Sequence, residues 1–200
     1  KGESTETDTL LLFLDWAKAF DSINTEALTL ALTRLGVPQP FVQVVLSLYQ
    51  QPHVEVKQGQ FVSTYRVQAS GIRQGCPLSP LLCISLLTII MADVEQTYCI
   101  FDPDLTNLLV NFFDDEYADD TVLFADTLPR LQLMLRKSET EAGCYNLKLN
   151  GSKCILLIQN SQPPPPGHRP TPLTLLNGTV LTPVHKAKYC GHMMDENGAS

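Results

Sequence analysis

The pattern of apolar and polar positions predicts both buried strands and amphipathic helices. An apolar run at residues 10–14 ends at Asp15, and its length without polar interruption predicts a central strand buried on both faces. An acidic stretch at 114–120 separates two further apolar runs, so we expect it to join two strands. The remaining predicted strands are residues 108–113, 121–125, 147–149 and 155–158.

Apolar residues also recur at the spacing of helix faces. The positions are Leu28, Ala31, Leu32 and Leu35 in one segment, Phe41, Val44, Val45, Leu48 and Tyr49 in the next, and Leu128, Leu131, Leu135 and Ala142 in a later one. Asn24 is placed to cap the first helix, Gly36 followed by Pro38 to end it, and Thr127 to cap the last.

The longest apolar segment, residues 81–91, contains Ser85 and Thr88. A bilayer span needs about 20 apolar residues, so this segment predicts a buried helix and no membrane contact. Ser79 is placed as its N-cap and Pro80 as its first helical residue.

Turn signals complete the picture of an α+β fold. Val54 begins an alternating stretch, and residues 61–67 begin another after Gly59, which predicts a hairpin. Asn177-Gly178 between apolar pairs predicts a second hairpin. Helices and strands alternate without a strict βαβ period, so we expect an antiparallel sheet backed by helices.

Composition limits the class of protein. Of 200 residues, 44% are hydrophobic and 18% charged, which is typical of a globular chain. The six cysteines form no CxxC pair, and residues 1–6 are too polar for a signal peptide, so we expect reduced thiols in an intracellular protein. The net charge of −7 disfavours nucleic-acid binding by this segment alone.

Two acidic segments suggest a metal site. Asp15 stands at the tip of a buried strand, and Asp119-Asp120 lie side by side between two apolar runs. Adjacent carboxylates repel each other unless a cation is near, and oxygen ligands suit Mg²⁺. The alternative is an acidic β-turn, which the neighbouring residues 114–116 favour.

A loop at residues 70–80 could approach a ligand closely. Its glycines permit such an approach, and Arg73 and Gln74 offer hydrogen-bond donors to a phosphate or base. A solvent-exposed loop rich in turn formers is the alternative interpretation.

Together these segments resemble the reverse transcriptase family, most closely the enzymes of LINE-type (non-LTR) retrotransposons. Residues 13–21 (FLDWAKAFD), 71–80 (GIRQGCPLSP) and 117–120 (YADD) resemble its first three palm motifs in order and spacing. Residues 147–150 (LKLN) with Lys153 resemble the fourth motif, and 188–191 (KYCG) the fifth.

The resemblance implies a polymerase palm that transfers dNTPs onto the 3′-hydroxyl of a DNA primer along an RNA template. It implies that Asp15 and Asp119 bind two Mg²⁺ ions, for which Mn²⁺ could substitute, with Asp120 and the Trp16 carbonyl completing the site. Two metals can stabilise both the attacking and the leaving oxygen of such a transfer.

The resemblance also implies substrate contacts. Phe20 corresponds to the steric gate that excludes a 2′-hydroxyl, or else is a core aromatic. Lys153 corresponds to a lysine that protonates the leaving pyrophosphate, or else is a surface lysine. The residues implied to contact substrate are Phe20, Arg73, Gln74, Gly75 and Tyr117.

The resemblance divides the chain into a palm at residues 1–160, a proline-rich loop at 161–172, and a hairpin with the start of the fifth motif at 173–200. Fingers, thumb and an endonuclease domain are expected elsewhere in a longer polyprotein. That polyprotein is expected in the nucleus or the cytoplasm, with the nucleus as its point of action, and the isolated chain is expected to be inactive. The alternatives are a decayed or repurposed retroelement fragment, a group II intron maturase and a telomerase subunit.

Overall fold

Helices and strands alternate along the chain in the computed structural model, which describes residues 9–50, 52–68, 70–101, 114–117, 120–159, 171–189 and 192–195. The helices are α1 (Ala19–Ser22), α2 (Thr25–Arg34), α3 (Gln39–Tyr49), α4 (Leu78–Phe101) and α5 (Leu128–Cys144). The strands are β1 (Thr9–Asp15), β2 (His53–Val54), β3 (Lys57–Gln58), β4 (Phe61–Val62), β5 (Arg66–Val67), β6 (Asp114–Tyr117), β7 (Asp120–Ala125), β8 (Ile155–Gln159), β9 (Leu173–Thr174), β10 (Val180–Leu181), β11 (Pro183–Val184), β12 (Lys186–Tyr189) and β13 (His192–Asp195).

A five-stranded sheet with the order β11-β8-β1-β7-β6 carries the fold. The neighbours β8, β1, β7 and β6 pair antiparallel, whereas the edge strand β11 pairs parallel with β8. The predicted antiparallel sheet backed by helices is therefore confirmed, with one parallel edge that the sequence pattern did not predict.

Strand β1 is central and buried on both faces, as its apolar run predicted. Leu10, Leu12 and Leu14 belong to the larger core shared with the helices. Leu11 and Phe13 belong to a smaller core on the opposite face of the sheet. Because successive side chains of a strand alternate between faces, an uninterrupted apolar run is what such a position requires.

The predicted ends of α2 are confirmed in atomic detail. The Asn24 side chain accepts a hydrogen bond from the Glu26 amide at 2.8 Å, as an N-cap does. Gly36 adopts a φ of 75° after the helix, and the Val37 amide donates to the Leu32 carbonyl at 3.0 Å. This is the Schellman arrangement that favours glycine.

Other helix predictions were wrong in part. In α3 the predicted apolar face is largely in solvent, because Phe41 is 65% exposed while Val42 is buried against the core. Thr127 precedes α5, but its side chain makes no capping hydrogen bond. Ser79 is not the N-cap of α4, since that helix begins at Leu78.

Several strand predictions also need correction. The strand predicted at 147–149 is a single bridge between Trp16 and Leu149, and part of the acidic stretch forms β6 itself. Residues 108–113 lie outside the described residues, as does most of the predicted loop at 161–172. The two predicted hairpins are confirmed, as β2 with β5 enclosing β3 with β4, and as β9 with β10.

Helix α4 is the long apolar element of the core. Its segment Leu78–Gln96 is long and apolar enough to cross a membrane, and half of that segment is buried inside the protein. Leu86, Leu87 and Ile90 are fully buried in the core that α4 shares with α2 and α5. Burial of this kind is what the sequence pattern predicted for a core helix.

Candidate active site

Asp15 and Asp120 are direct neighbours across two strands of the sheet. Asp15 ends β1, Asp120 begins β7, and the antiparallel register makes the two residues Cα partners. Directly opposed residues in such a pair have Cα atoms about 4.5–5.5 Å apart. The fold therefore brings together two residues that are 105 positions apart in the sequence. Asp119 lies outside the described residues.

The Asp15 carboxylate is partly exposed and close to one cation. The side chain is 33% exposed, and its Oδ1 lies 3.5 Å from the Nζ of Lys153. The Lys153 side chain is 67% exposed, so water screens this ion pair. The backbone of the same segment adds a fixed contact, since the Asn150 amide donates to the Asp15 carbonyl at 2.8 Å.

Cys154 lies beneath this segment. It is buried, and burial raises the pKa of its thiol, while a hydrogen bond from the Asp15 backbone acts in the opposite direction. The raised pKa keeps the Cys154 side chain as a neutral thiol at physiological pH.

Trp16 ties the end of β1 to β7. Its indole Nε1 donates to Thr121 Oγ1 at 3.0 Å, and both side chains are buried. Trp16 also forms the bridge to Leu149, and the Ala17 amide donates to the Lys148 carbonyl at 2.8 Å. These contacts fix the three segments around Asp15 relative to one another.

The loop that follows β5 packs against α1 through main-chain atoms. The Ile72 amide donates to the Phe20 carbonyl at 2.6 Å, and the Gly71 amide to the Ile23 carbonyl at 2.8 Å. A Cβ on Gly71 would lie 2.8 Å from main-chain atoms of Asp21. Gly71 also adopts a φ of 92°, so both the close approach and the conformation require glycine.

The same loop makes side-chain contacts with α1. Gln74 Nε2 donates to Asp21 Oδ1 at 3.0 Å, and Ser70 Oγ donates to the Asp21 carbonyl at 3.0 Å. The Arg73 guanidinium donates to the Leu48 carbonyl at 3.3 Å, and Ser79 Oγ to the Arg73 carbonyl at 2.6 Å. Ser79 thus holds the loop from inside the first turn of α4.

A pocket of about 570 Å³ opens between α1 and the start of α4. Its lining residues are Phe20, Gln74, Gly75, Cys76, Pro77, Ser79 and Pro80. The volume is within the range of small-molecule sites. Phe20, Gln74 and Gly75, which the sequence placed at the substrate, therefore share one cavity.

Other predicted site residues are placed only by their backbone. Tyr117 is the Cα partner of Asp120 in the β6–β7 pair. Trp16 follows Asp15 directly, and a role for its carbonyl stays a prediction. No cluster of three or more His, Cys, Asp or Glu residues with the geometry of a metal site occurs within the part of the chain that the structure describes, which excludes Asp119.

Sequence reasoning missed two contributors to this region. Asp21 contacts the loop with both its side chain and its carbonyl, and Thr121 accepts the Trp16 hydrogen bond. Asp21 belongs to the FLDWAKAFD segment, and its position one residue after Phe20 was the available signal. Thr121, a polar residue within an apolar strand next to Asp120, was the other.

Comparisons with known proteins agree on one family. Residues 1–194 match the family described as "Reverse transcriptase (RNA-dependent DNA polymerase)". A Pol polyprotein of the type-2 retrotransposable element R2DM of Drosophila melanogaster is 31% identical over 75% of this chain and 14% of its own length. The RNA-directed DNA polymerase from mobile element jockey of Drosophila funebris is 24% identical over 92% of this chain and 19% of its own length.

Solved structures share the fold. Apo telomerase from Candida tropicalis, truncated from its C-terminal domain, superposes with a TM-score of 0.70 at 14% identity, over 98% of this chain and 36% of that one. The chain therefore has a palm-type fold, and it spans less than a fifth of the length of the two Drosophila relatives.

Proposed function

Because the chain belongs to the reverse transcriptase family, we propose that it is the palm region of an RNA-directed DNA polymerase of a non-LTR retrotransposon. The observation that carries the proposal is the pairing of Asp15 with Asp120 on adjacent strands. This pairing unites the first and third motifs of the family, while the second motif lines the neighbouring pocket with Phe20.

Reverse transcriptases are generally metal-dependent, and the residues present suit divalent cations. The Asp15 carboxylate ends a buried strand, is partly exposed, and stands opposite a second aspartate. Such oxygen donors suit hard cations. Two Mg²⁺ ions, or Mn²⁺ in their place, would be held by Asp15, Asp119, Asp120 and the Trp16 carbonyl, and when bound they stabilise charge on the attacking and leaving oxygens.

The protein's own residues position the reactants. Strand pairing and the Trp16–Thr121 hydrogen bond hold Asp15 in place, so little reorganisation is needed during nucleotidyl transfer. Lys153 Nζ lies 3.5 Å from Asp15 Oδ1, and in this proposal it would donate a proton to the leaving pyrophosphate.

The pocket serves the incoming dNTP. The Phe20 ring excludes a ribose 2′-hydroxyl, which separates dNTPs from ribonucleotides. Gln74 and Gly75 line the same pocket. By the family resemblance, Arg73 and Tyr117 would also contact the substrate. An RNA template and a DNA primer are the macromolecular partners.

Nucleic-acid binding depends on further regions of a longer polypeptide. The chain carries a net charge of −7 and spans 14% of the R2DM polyprotein. Phosphate backbones require basic surfaces, which fingers and thumb regions would supply. We place the activity in the nucleus, where a retrotransposon inserts its copy.

Primer extension tests the proposal. The complete polypeptide that carries this chain should extend a DNA primer on an RNA template with dNTPs and Mg²⁺. Asp15→Asn keeps the side-chain volume but removes a charge, and it should lower the rate about a hundredfold or more. Glu26→Gln, on the exposed start of α2, is the matched control and should leave the rate unchanged. Absence of extension by the wild type would show that the chain is a non-catalytic module.

A further inference from the structure

Asp21 of α1 contacts the glycine-containing loop at residues 70–80 through its side chain and its carbonyl. Its Oδ1 accepts a hydrogen bond from Gln74 Nε2 at 3.0 Å, and its carbonyl accepts one from Ser70 Oγ at 3.0 Å. Gln74 and Asp21 are 53 residues apart in the sequence, so the contact forms only in the folded protein.

The chemistry of the two groups fixes the orientation of the Gln74 amide. An ionised carboxylate only accepts hydrogen bonds, whereas a glutamine amide has one donating and one accepting end. Asp21 therefore holds the NH₂ end of Gln74, and the carbonyl oxygen of Gln74 is the end left to accept from another group. A charged acceptor makes this bond stronger than a neutral one.

The oriented Gln74 side chain belongs to the lining of the pocket. Phe20 and Gln74 both line it, and Phe20 directly precedes Asp21 in α1. The main chain around Asp21 is rigid, because Gly71 approaches its backbone closely and the Ile72 amide donates to the Phe20 carbonyl. Asp21 is not itself a lining residue, but its carboxylate contacts Gln74, which is one.

We infer that Asp21 is a positioning residue for nucleotide binding, which orients the Gln74 amide so that its carbonyl oxygen accepts a hydrogen bond from the incoming dNTP. Asp21 acts through Gln74 and does not itself contact the substrate. The inference rests on the proposed function, since it assigns a role within the same pocket.

Steady-state extension of a primed RNA template by the complete polypeptide tests this role. Asp21→Ala and Gln74→Ala should each raise the KM for dNTP about fivefold, the effect of one lost hydrogen bond, while kcat stays the same within about twofold. The double variant Asp21→Ala/Gln74→Ala should match Gln74→Ala alone, because Asp21 has nothing left to orient. Glu26→Ala, an exposed acid on α2, is the control and should leave KM unchanged.

Two isosteric or conservative variants separate orientation from folding. Asp21→Asn preserves shape but can pair with either end of the Gln74 amide, so KM should rise as in Asp21→Ala. Asp21→Glu retains an acceptor-only carboxylate and should recover part of the affinity. Thermal unfolding of each variant identifies any that fail to fold.

The outcomes distinguish a failure of the Asp21 role from a failure of the proposed function. Suppose that the wild type extends primers but the KM of the double variant rises about 25-fold, which is the product of two independent losses. This result would overturn the role of Asp21 and leave the proposed function standing. Wild-type KM in Asp21→Asn, or a loss confined to kcat, would do the same. A wild type without primer extension would overturn both this inference and the proposed function.

Discussion

The indole Nε1 of Trp16 donates a buried hydrogen bond to Thr121 Oγ1 at 3.0 Å, and this bond joins the end of β1 to the second residue of β7. Each partner directly follows one of the paired aspartates, Asp15 and Asp120. The bond therefore acts on the spacing of the two acidic segments as well as on the stability of the fold.

Removing the acceptor should be costly. Thr121→Val keeps the shape of the side chain but leaves the buried indole N–H without its partner, which should lower the free energy of unfolding by about 1–3 kcal/mol. Urea unfolding measures the loss. Thr121→Ser retains Oγ and should remain close to the wild type, so equal losses in the two variants would contradict the importance of this hydrogen bond.

Two aspartates of the acidic stretch at 114–120 should differ in their effect on the rate. Asp119→Asn removes a negative charge from the proposed metal site and should lower primer extension about a hundredfold or more in the complete polypeptide. Asp114→Asn changes a residue at the far end of β6 and should leave the rate nearly unchanged. Similar, mild losses in both would mean that the acidic stretch is only a charged hairpin.

Lys153 should compete with metal for Asp15. The Nζ–Oδ1 distance of 3.5 Å places the Lys153 ammonium beside the carboxylate that is proposed to bind metal. A cation that binds Asp15 must therefore displace this ammonium. Lys153→Met should therefore lower the Mn²⁺ concentration for half-maximal thermal stabilisation about twofold, as suits an exposed ion pair. Lys148→Met, an exposed lysine of the same segment, is the control. An unchanged midpoint in Lys153→Met would refute the competition.

Gly71 and Gly178 provide a matched pair of glycine positions. Both have positive φ, 92° and 85°, but a Cβ on Gly71 would meet main-chain atoms at 2.8 Å whereas nothing lies within 4 Å at Gly178. Gly178→Ala should cost about 1–2 kcal/mol for the left-handed conformation. Gly71→Ala should cost roughly 1–3 kcal/mol more, because the loop must also move away from α1. Chemical denaturation compares them, and equal losses would contradict the close approach.

Glu139 should make stability depend on pH. Burial raises the pKa of its carboxyl above 4.5, although Oε2 accepts a hydrogen bond from the Leu176 amide at 2.9 Å. A raised folded-state pKa stabilises the protein at low pH, and this contribution is lost as pH rises through that pKa. Glu139→Gln keeps an acceptor for the Leu176 amide without the charge. The melting temperature of this variant minus that of the wild type should therefore increase from pH 4 to pH 7. A difference that stays constant with pH would refute the assignment.

Local signals predicted local structure well in this chain. The cap at Asn24, the turn at Gly36 and the apolar run before Asp15 each depend on neighbouring residues, and each is found as predicted. The apolar pattern of α3 failed because burial depends on which elements pack against a helix, and Phe41 has solvent where a neighbour was expected.

Apolar and polar patterns in the sequence could not predict contacts between distant segments. The family resemblance predicted that Asp15 meets the acidic segment around Asp120, and the strand register places them opposite each other. No periodicity links Asp21 to Gln74, because their contact depends on how a loop lies across a short helix. The roles of the aspartates in metal binding stay predictions.

The position of β1 in the sheet has a consequence for synthesis on the ribosome. Its two partners are β7 and β8, so both edges of this apolar strand lack their native neighbours until the chain has grown past residue 125 and then past 159. At about 5–20 residues per second, the 105 residues that lead from Asp15 to Asp120 take roughly 5–20 s to make. Unpaired apolar strand edges promote aggregation. Any pause in translation between the two aspartates therefore lengthens the time for which the edges of β1 stay unpaired.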